Sequence, residues 1–108
     1  MANTFTSYVA KNVGTTPVAL VTVGAATQTT IIGLTVSNTT ASAITTDIYL
    51  TRSAVNYYII KGATVQPGTS FVAVGGDQKV VLTTSDILYV VTSTATSADV
   101  VMSVLNIT

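Results

Sequence analysis

The stretch AITTDIYLTR, residues 43–52, decides the fold class of this chain. Its positions alternate with a period of two, with one predicted face formed by Ile44, Thr46, Ile48 and Leu50 and the other by Thr45, Asp47, Tyr49 and Thr51. Successive side chains of a strand point to opposite faces of a sheet, so this alternation predicts a strand that is buried on one side. Its β-branched residues favour the same structure.

Similar apolar segments, separated by turn residues, lie on both sides of this strand. They cover residues 4–11, 18–23, 29–37, 57–65, 69–74, 79–82, 87–93 and 100–107. The pattern gives about eight to nine short strands, which is typical of an all-β sandwich or barrel. No gap is long enough for a parallel crossover, so we expect antiparallel pairing. We find no linker and no repeat, and we predict one domain over residues 1–108.

Particular turns and faces follow from the same pattern. Gly75-Gly76-Asp77-Gln78 predicts a hairpin turn between the segments at 69–74 and 79–82. Residues 54–56 predict a short loop after the strand at 43–52. In the segment at 29–37, the period of two places Ile32, Leu34 and Val36 on one face and Ile31 and Gly33 on the other.

Charge is scarce in this sequence. Only 7% of the 108 residues are charged, and four cations balance four anions. Scattered cations form no basic patch, which argues against binding to nucleic acid or to an anionic membrane. No run of about 18 apolar residues predicts a membrane-spanning helix. Residues 1–6 lack the basic and apolar segments of a signal peptide, so we expect none.

The residues that usually carry catalysis are mostly missing, since the chain has no histidine, cysteine or glutamate. Ser85-Asp86 and the Ser97/Asp99 pair place a hydroxyl near a carboxylate, but such pairs are common in turns. Asp77 also falls in a predicted turn, so we interpret these aspartates as solvated. We therefore predict a protein that is not an enzyme, with no cofactor, no metal site and no small-molecule substrate. A calcium site formed by two loops that converge in space remains an open alternative.

Several predicted strands are apolar on both faces, namely those at residues 57–60, 80–82, 87–91 and 100–102. A solvated sheet face normally alternates apolar and polar residues. A single sandwich has one core, so the second apolar face of these strands needs another cover. Packing on another chain is the simplest account, and cover by the protein's own loops is the alternative.

Tyrosine is the main aromatic residue, and all five copies fall on predicted strands: Tyr8, Tyr49, Tyr57, Tyr58 and Tyr89. Tyrosine is enriched at protein interfaces, where it combines apolar area with a polar tip. A platform for sugar binding is a second interpretation, and a place in the core or at its rim is a third.

The second half of the chain resembles a known group of proteins. The resemblance lies in PGTS at 67–70, GGDQKVVL at 75–82, SDILYV at 85–90 and SADVVMSVL at 97–105. Thr4-Phe5, Tyr8 and Ile48-Tyr49-Leu50 also fit. On these segments the chain is similar to small β-sandwich virion proteins of tailed phages, especially phages of marine bacteria and cyanobacteria.

The resemblance implies a single antiparallel β-sandwich, jelly-roll-like, that is a structural part of a phage particle. It implies a capsid cement or decoration protein made in the host cytoplasm, commonly a homotrimer, with the chain itself and the major capsid protein as partners. A neck or tail component and a lectin-like receptor-binding module are the alternatives. The interface residues that we predict are Phe5, Tyr8, Tyr57, Tyr58 and Tyr89. The segment at residues 2–8 is predicted to be an arm that reaches a neighbouring copy.

Overall fold

The β-branched segments form strands that are separated by short turns. The computed structural model describes residues 2–75 and 78–108, and over these ranges it has nine strands. They are β1 (Asn3–Val13), β2 (Val18–Thr22), β3 (Gln28–Asn38), β4 (Ile44–Arg52), β5 (Val55–Val65), β6 (Ser70–Val74), β7 (Val80–Leu82), β8 (Ile87–Thr92) and β9 (Ala98–Ile107).

The strands form two sheets that share one core. The first sheet has the order β1-β9-β3-β6, and β7 also pairs with β3. The second sheet has the order β2-β8-β4-β5. All pairs between these strands are antiparallel. The predicted all-β antiparallel sandwich is therefore confirmed.

The order of pairing is that of one long hairpin that has been rolled up. From its tip outward the pairs are β4 with β5, β3 with β6 and β7, β2 with β8, and β1 with β9. Consecutive pairs lie in alternate sheets. When β6 and β7 are counted as one interrupted strand, this is the eight-stranded jelly roll with its two Greek keys. The jelly-roll expectation is therefore also confirmed.

The connection between β6 and β7 corrects one prediction. Both strands run antiparallel to β3, with Val74 opposite Leu34 and Val80 opposite Ile31. The two strands thus follow one another along the same edge of β3 and do not form a hairpin with each other. The predicted turn includes Gly76 and Asp77, which lie outside the described residues.

The core lies between the sheets and is built from aliphatic side chains of both. Its largest fully buried side chains are Ile31, Leu34, Ile44, Ile48, Leu82, Leu88, Met102, Val13, Val36, Val65, Val74 and Val90. In β4 the predicted alternation holds, since Ile44, Thr46 and Ile48 are buried and Leu50 packs against the core. Burial of each such aliphatic side chain stabilises the fold by about 1.5–3 kcal/mol.

A β-bulge in β3 makes the predicted faces wrong for Ile31 and Ile32, while Leu34 and Val36 share the core face as predicted. The pairing of β3 with β9 shifts between Ile31 and Gly33, which adds one residue to β3 at Ile32. The shift brings Ile31, with Leu34 and Val36, into the core, where all three are fully buried. Ile32 is only half-buried. A bulge breaks the period of two, so alternation alone does not predict it.

The β4–β5 turn is also shorter than the predicted loop at 54–56. Arg52 pairs with Val55, and only Ser53 and Ala54 lie between the strands. Both have positive φ, 53° and 62°. A two-residue hairpin turn of this kind normally uses Asn-Gly, so the Ser-Ala pair gives no turn signal in the sequence.

Within the described ranges, no helix has the length and apolar character needed to cross a lipid bilayer.

Candidate interaction surface

The outer face of the first sheet carries most of the exposed large hydrophobic side chains. Alternation along β9 sends Val100, Met102 and Val104 into the core, and therefore sends Val101 and Leu105 outward. On β1 the outward residues include Phe5 and Val9, which are 75% and 72% exposed. We call this surface the apolar face, and its residues are Phe5, Val9, Val72, Val81, Val101 and Leu105.

Strand register arranges the apolar face in rows that cross the sheet. One row is Phe5–Leu105–Thr30–Val81, and another is Val9–Val101–Thr35–Val72. Between them lies a row of small residues, Ser7–Ser103–Gly33. None of these residues carries a charge, so the rows form an uncharged area with residues from five strands, β1, β9, β3, β6 and β7.

Two charged residues, Lys11 and Asp99, lie at one end of the apolar face. Asp99 of β9 accepts hydrogen bonds from the backbone N–H of Asn12 at 3.1 Å and from Lys11 Nζ at 3.2 Å. The Asn12 N–H and, next, Lys11 hold the pKa of Asp99 below its usual value. Asp99 therefore lies on a strand, at the edge of the apolar face, rather than in the predicted turn.

The outer face of the second sheet carries a row of stacked tyrosines. Tyr49 of β4 is opposite Tyr89 of β8 and Tyr58 of β5. The ring centroids are 5.3 Å apart for Tyr49 and Tyr89 and 5.0 Å apart for Tyr49 and Tyr58. We call these three residues the tyrosine row. Offset or tilted aromatic pairs at such distances stabilise by about 0.5–1.5 kcal/mol beyond the area that they bury.

An ion pair covers one end of the tyrosine row. Lys61 Nζ lies 4.5 Å from the centroid of the Tyr58 ring and 3.4 Å from Asp47 Oδ2. Asp47 Oδ1 also accepts a hydrogen bond from the Gly62 N–H at 2.7 Å. Asp47 raises the pKa of Lys61, and desolvation is the main cause that raises the pKa of the Tyr49 hydroxyl. These tyrosines are therefore held by contacts within the chain.

The structure divides the predicted interface residues among four places. Phe5 belongs to the apolar face, and Tyr58 and Tyr89 belong to the tyrosine row. Tyr8 points inward and packs against the core, which fits the third interpretation of the tyrosines. Tyr57 is exposed at the end of β5, opposite Leu50 and outside the row.

Sequence reasoning missed other members of these surfaces. Val9 and Val72 had no place in the predicted interface, although the alternation of Phe5, Ser7 and Val9 in the sequence is a signal for it. Their importance follows from register, which places both valines in the same row as Val101. Tyr49 was predicted to face outward, but its contacts with Tyr58 and Tyr89 could not be predicted because those residues lie on other strands.

The segment at residues 2–8 is a strand of this chain and not a free arm. Phe5 and Tyr8 pair with Leu105 and Met102 of β9. Beyond β1, Ala2 exchanges two backbone hydrogen bonds with Thr108, each 2.9 Å long. The segment is therefore an edge strand that pairs with β9 on one side, and its contact with a neighbouring copy stays a prediction.

Asp86 corrects the prediction of solvated aspartates. Its side chain is 1% exposed and forms a bidentate ion pair with Arg52, whose Nε lies 2.9 Å from Oδ1. The Thr83 N–H donates to Oδ2 at 2.8 Å. Hydrogen bonds from Arg52 and then the Thr83 backbone outweigh burial, so the pKa of Asp86 lies below its usual value. This pair ties the start of β8 to the end of β4.

The serine–aspartate pairs of the sequence form no nucleophile and base in the structure. Ser97 is buried, and its hydroxyl bonds with Thr92 Oγ1 at 2.7 Å and with the Val13 carbonyl. Ser85 lies in the turn before β8, with a φ of 73°. In residues 2–75 and 78–108 no group of three or more metal-ligating side chains occurs. Two surface depressions of about 190 and 270 Å³ are lined mainly by threonine, serine and small residues.

Comparisons with known proteins give fold-level matches only. No family in a scan of known protein families matches the sequence, and no curated protein does. Chains in the structures of infectious bursal disease virus strains Gt and Gx match with TM-scores of 0.47 and 0.45 and identities of 13% and 17%. The matches cover 98% and 96% of this chain and 30% and 28% of those chains. The chain thus spans less than a third of their length, and such a likeness carries no functional argument.

Proposed function

We propose that this chain is a structural protein of a virus particle, of the capsid cement or decoration type. Its partners in this proposal are copies of itself and the major capsid protein of a tailed phage. It acts by burying uncharged strand surface between subunits and against the shell, and it needs no catalytic residue, cofactor or nucleic acid. The sequence resemblance suggests this type of protein and a trimeric state.

The observation that supports an assembly role is the apolar face. Antiparallel sheets that face water carry polar side chains on that side. Here exposed positions of four strands carry valine or phenylalanine instead. Large exposed apolar patches mark sites of interaction with other molecules. A subunit of a particle has such partners permanently, so the exposed face is covered in its working state.

The test uses phage particles that lack this protein. Purified chain is added to them, bound protein is measured by co-sedimentation, and the temperature at which the heads release DNA is recorded. A cement protein binds to a fixed saturating number of copies and raises that temperature. A chain that leaves the particles unbound and their release temperature unchanged contradicts the proposal.

The same particles distinguish the neck or tail alternative. A density map of particles with bound chain places a cement protein over the whole head surface. Density that is confined to the neck or the tail would show that the chain is a component of that part of the particle. It would then still be a structural protein.

The tyrosine row supports a second candidate function, a lectin-like receptor-binding module. Tyr58 is 47% exposed, with the polar groups of Lys61 and Asp47 beside it. Exposed aromatic rings next to polar groups are a suitable surface for sugar rings. A glycan array tests this with Tyr58→Ala and, as the control, Tyr57→Ala. Binding that is lost only in Tyr58→Ala supports it, and an array without ligands rejects it.

A further inference from the structure

We infer that β1 is the strand edge at which this chain pairs with a second copy of itself, antiparallel and about a twofold axis at Ser7. In such a pair the first sheets of the two copies form one continuous sheet. The inference rests on the proposed function and deepens it, because it assigns the self-association step to one edge. The apolar face is then left for the shell.

Backbone groups of β1 point away from the rest of the sheet. Ala2 and Thr108 exchange both of their backbone hydrogen bonds. Such hydrogen-bonded pairs recur at every second residue of an antiparallel ladder, here up to Ala10. The N–H and C=O groups that point outward therefore belong to Asn3, Phe5, Ser7 and Val9. β1 ends the strand order of its sheet, so none of the described strands pairs with these groups.

The edge of β1 is the longest unprotected edge among the described strands. From Asn3 to Ala10 its pairing with β9 has no shift, and this segment has no charge and no proline. At the edge of the second sheet, β5 has two irregularities in its pairing with β4, a charge at Lys61 and a positive φ at Gly62. β2, β6 and β7 have only five, five and three residues. Bulges, charges and short strands protect edges from pairing, so β1 is the edge that is open to another strand.

The side chains of β1 match those of a second β1. An axis at Ser7 places Ser7 opposite itself, and it places Phe5 of each copy opposite Val9 of the other. Aromatic and β-branched side chains form favourable cross-strand pairs, and facing hydroxyl residues form hydrogen bonds. The strand is therefore complementary to itself in this register.

Other registers of the same strand lose this match. An axis at Thr6 places Phe5 opposite Ser7, and an axis at Tyr8 places it opposite Lys11. A shift of the axis by two residues in either direction leaves one of the two apolar residues opposite a position outside the regular part of β1. The side chains thus select the axis at Ser7.

This match favours a second copy over an unrelated strand. The pair has three hydrogen-bonded residue pairs and so about six backbone hydrogen bonds between the copies. Main-chain bonds of this kind give affinity, and alternate side chains give specificity. The row of the apolar face through Phe5 also continues into the row through Val9 of the second copy. Isologous contact closes after two copies, so the expected stoichiometry is two, in contrast to the trimer that the resemblance implies.

The first test is sedimentation of the purified chain over a range of concentrations, with two matched lysine variants. Ser7 and Ser103 are both exposed and face each other across β1 and β9. Ser7→Lys places two like charges opposite each other at the axis, whereas Ser103→Lys places them about 14 Å apart, three strand spacings away. We expect the wild type and Ser103→Lys to form pairs, and Ser7→Lys to associate at least about tenfold more weakly.

Disulfide formation tests the register without adding a charge. The chain has no cysteine, so Ser7→Cys forms a disulfide only between copies. Facing residues of a hydrogen-bonded pair have Cα atoms about 5.5 Å apart, which is within the range for a disulfide. We expect mild oxidation to link Ser7→Cys into a covalent pair, and Ser103→Cys, the control, to stay unlinked.

Circular dichroism and thermal unfolding establish that each variant is folded, and the cysteine variants carry the test if Ser7→Lys fails to fold. A monomeric wild type, a folded Ser7→Lys variant that pairs like the wild type, or a Ser7→Cys variant that links no more than Ser103→Cys overturns the inference. Pairing that is lost in Ser103→Lys and kept in Ser7→Lys also overturns it, because the contact then lies on the apolar face.

The particle assay separates this inference from the proposed function. A wild type that is monomeric in solution but binds particles overturns the inference and leaves the cement role intact. A wild type that pairs through Ser7 but never binds particles leaves the inference intact and removes the cement role.

Discussion

The two outer faces of this sandwich use apolar residues in opposite ways. On the second sheet, Tyr49 and its two neighbours stack on one another, and the Lys61–Asp47 pair covers one end of the row. On the first sheet, Phe5 and Val9 are largely exposed and have no polar cover. One face is therefore completed by contacts within the chain, whereas the other is completed only by a partner.

This difference predicts that the outer face of the second sheet contributes to stability and that the apolar face of the first sheet contributes to association. Changes in the second sheet should lower the free energy of unfolding, because its outer side chains have partners within the chain. Changes on the apolar face should leave that free energy nearly unchanged and alter self-association instead. The following predictions test this division, from the largest expected effect on stability to the smallest.

Asp86→Ala should have the largest effect. It removes the buried carboxylate that binds Arg52 and the Thr83 N–H, and leaves both donors without their acceptor. We expect the free energy of unfolding to fall by about 3 kcal/mol, measured by urea titration. Asp99→Ala is the control, since it breaks an exposed pair, and its effect should be much smaller. Equal losses in the two variants would show that the buried pair contributes no more to the free energy of unfolding than the exposed pair.

The same pair makes stability depend on pH in a defined direction. The pKa of Asp86 is lower in the folded chain than its ordinary value of about 3.9. Its contribution is therefore complete above that ordinary value and is lost as the pH falls through the folded pKa. We expect the difference in stability between wild type and Asp86→Ala to be constant near neutral pH and to shrink below pH ~4. A difference that grows on acidification would contradict this assignment.

Tyr49→Ala should have the next largest effect. It removes the central ring of the tyrosine row and both of its ring contacts. We expect a loss of about 2 kcal/mol in the free energy of unfolding, with self-association unchanged. Tyr57→Ala is the matched control, because Tyr57 is exposed and outside the row, and it should cost less than 1 kcal/mol. If the two substitutions have the same effect, the row adds nothing to stability.

Gly62→Ala should have a moderate effect. Gly62 has a φ of 67°, and a Cβ built there meets no other atom, so backbone strain is the only steric penalty. We expect a loss of about 1 kcal/mol, measured as a shift in the thermal midpoint. Gly24→Ala is the control, since its φ is not in the left-handed region and a Cβ there meets only the Thr27 hydroxyl at 3.8 Å, an ordinary contact. A larger loss at Gly24 would contradict this reading of Gly62.

Val9→Thr should have the smallest effect on stability. Val9 is 72% exposed, and threonine preserves its shape, so the free energy of unfolding should change by less than about 0.5 kcal/mol. Pairing in the ultracentrifuge should weaken severalfold, because the substitution places a hydroxyl in the apolar row. Val55→Thr should change neither quantity. A Val9→Thr variant that unfolds easily but pairs normally would contradict the assignment of the apolar face to association rather than to stability.

The sequence predicts a strand and its buried face correctly where the alternation of residues within that strand is enough to define them. In β4 the buried residues Ile44, Thr46 and Ile48 alternate with less buried ones, and the irregularities in its pairing with β5 add residues to β5, so the strand and its inward face were predicted correctly. The faces of β3 were not, because a bulge at Ile32 depends on pairing with β9. The β6–β7 connection was mistaken for a hairpin, since its Gly-rich turn signal does not reveal that both strands pair with β3.

The candidate surface was predicted only in part for the same reason. The apolar outer positions of β7 and β9 were visible in the sequence, but their alignment with Val9 and Val72 depends on register across four strands. The burial of Asp86 could not be predicted from the sequence either, because its partner Arg52 is 34 residues away. A turn aspartate looks the same in the sequence whether it is solvated or ion-paired.

The rolled hairpin also sets the order in which the chain can fold. β4 and β5 are joined by two residues, whereas the β1–β9 pair brings Asn3 opposite Ile107. The entropy of loop closure rises with the length of chain enclosed, so the pairs near the tip close first and β1–β9 closes last. Phe5 and Val9 meet Leu105 and Val101 only in that final step. Incomplete chains therefore lack the full surface, and a copy becomes competent to associate only when its folding is finished.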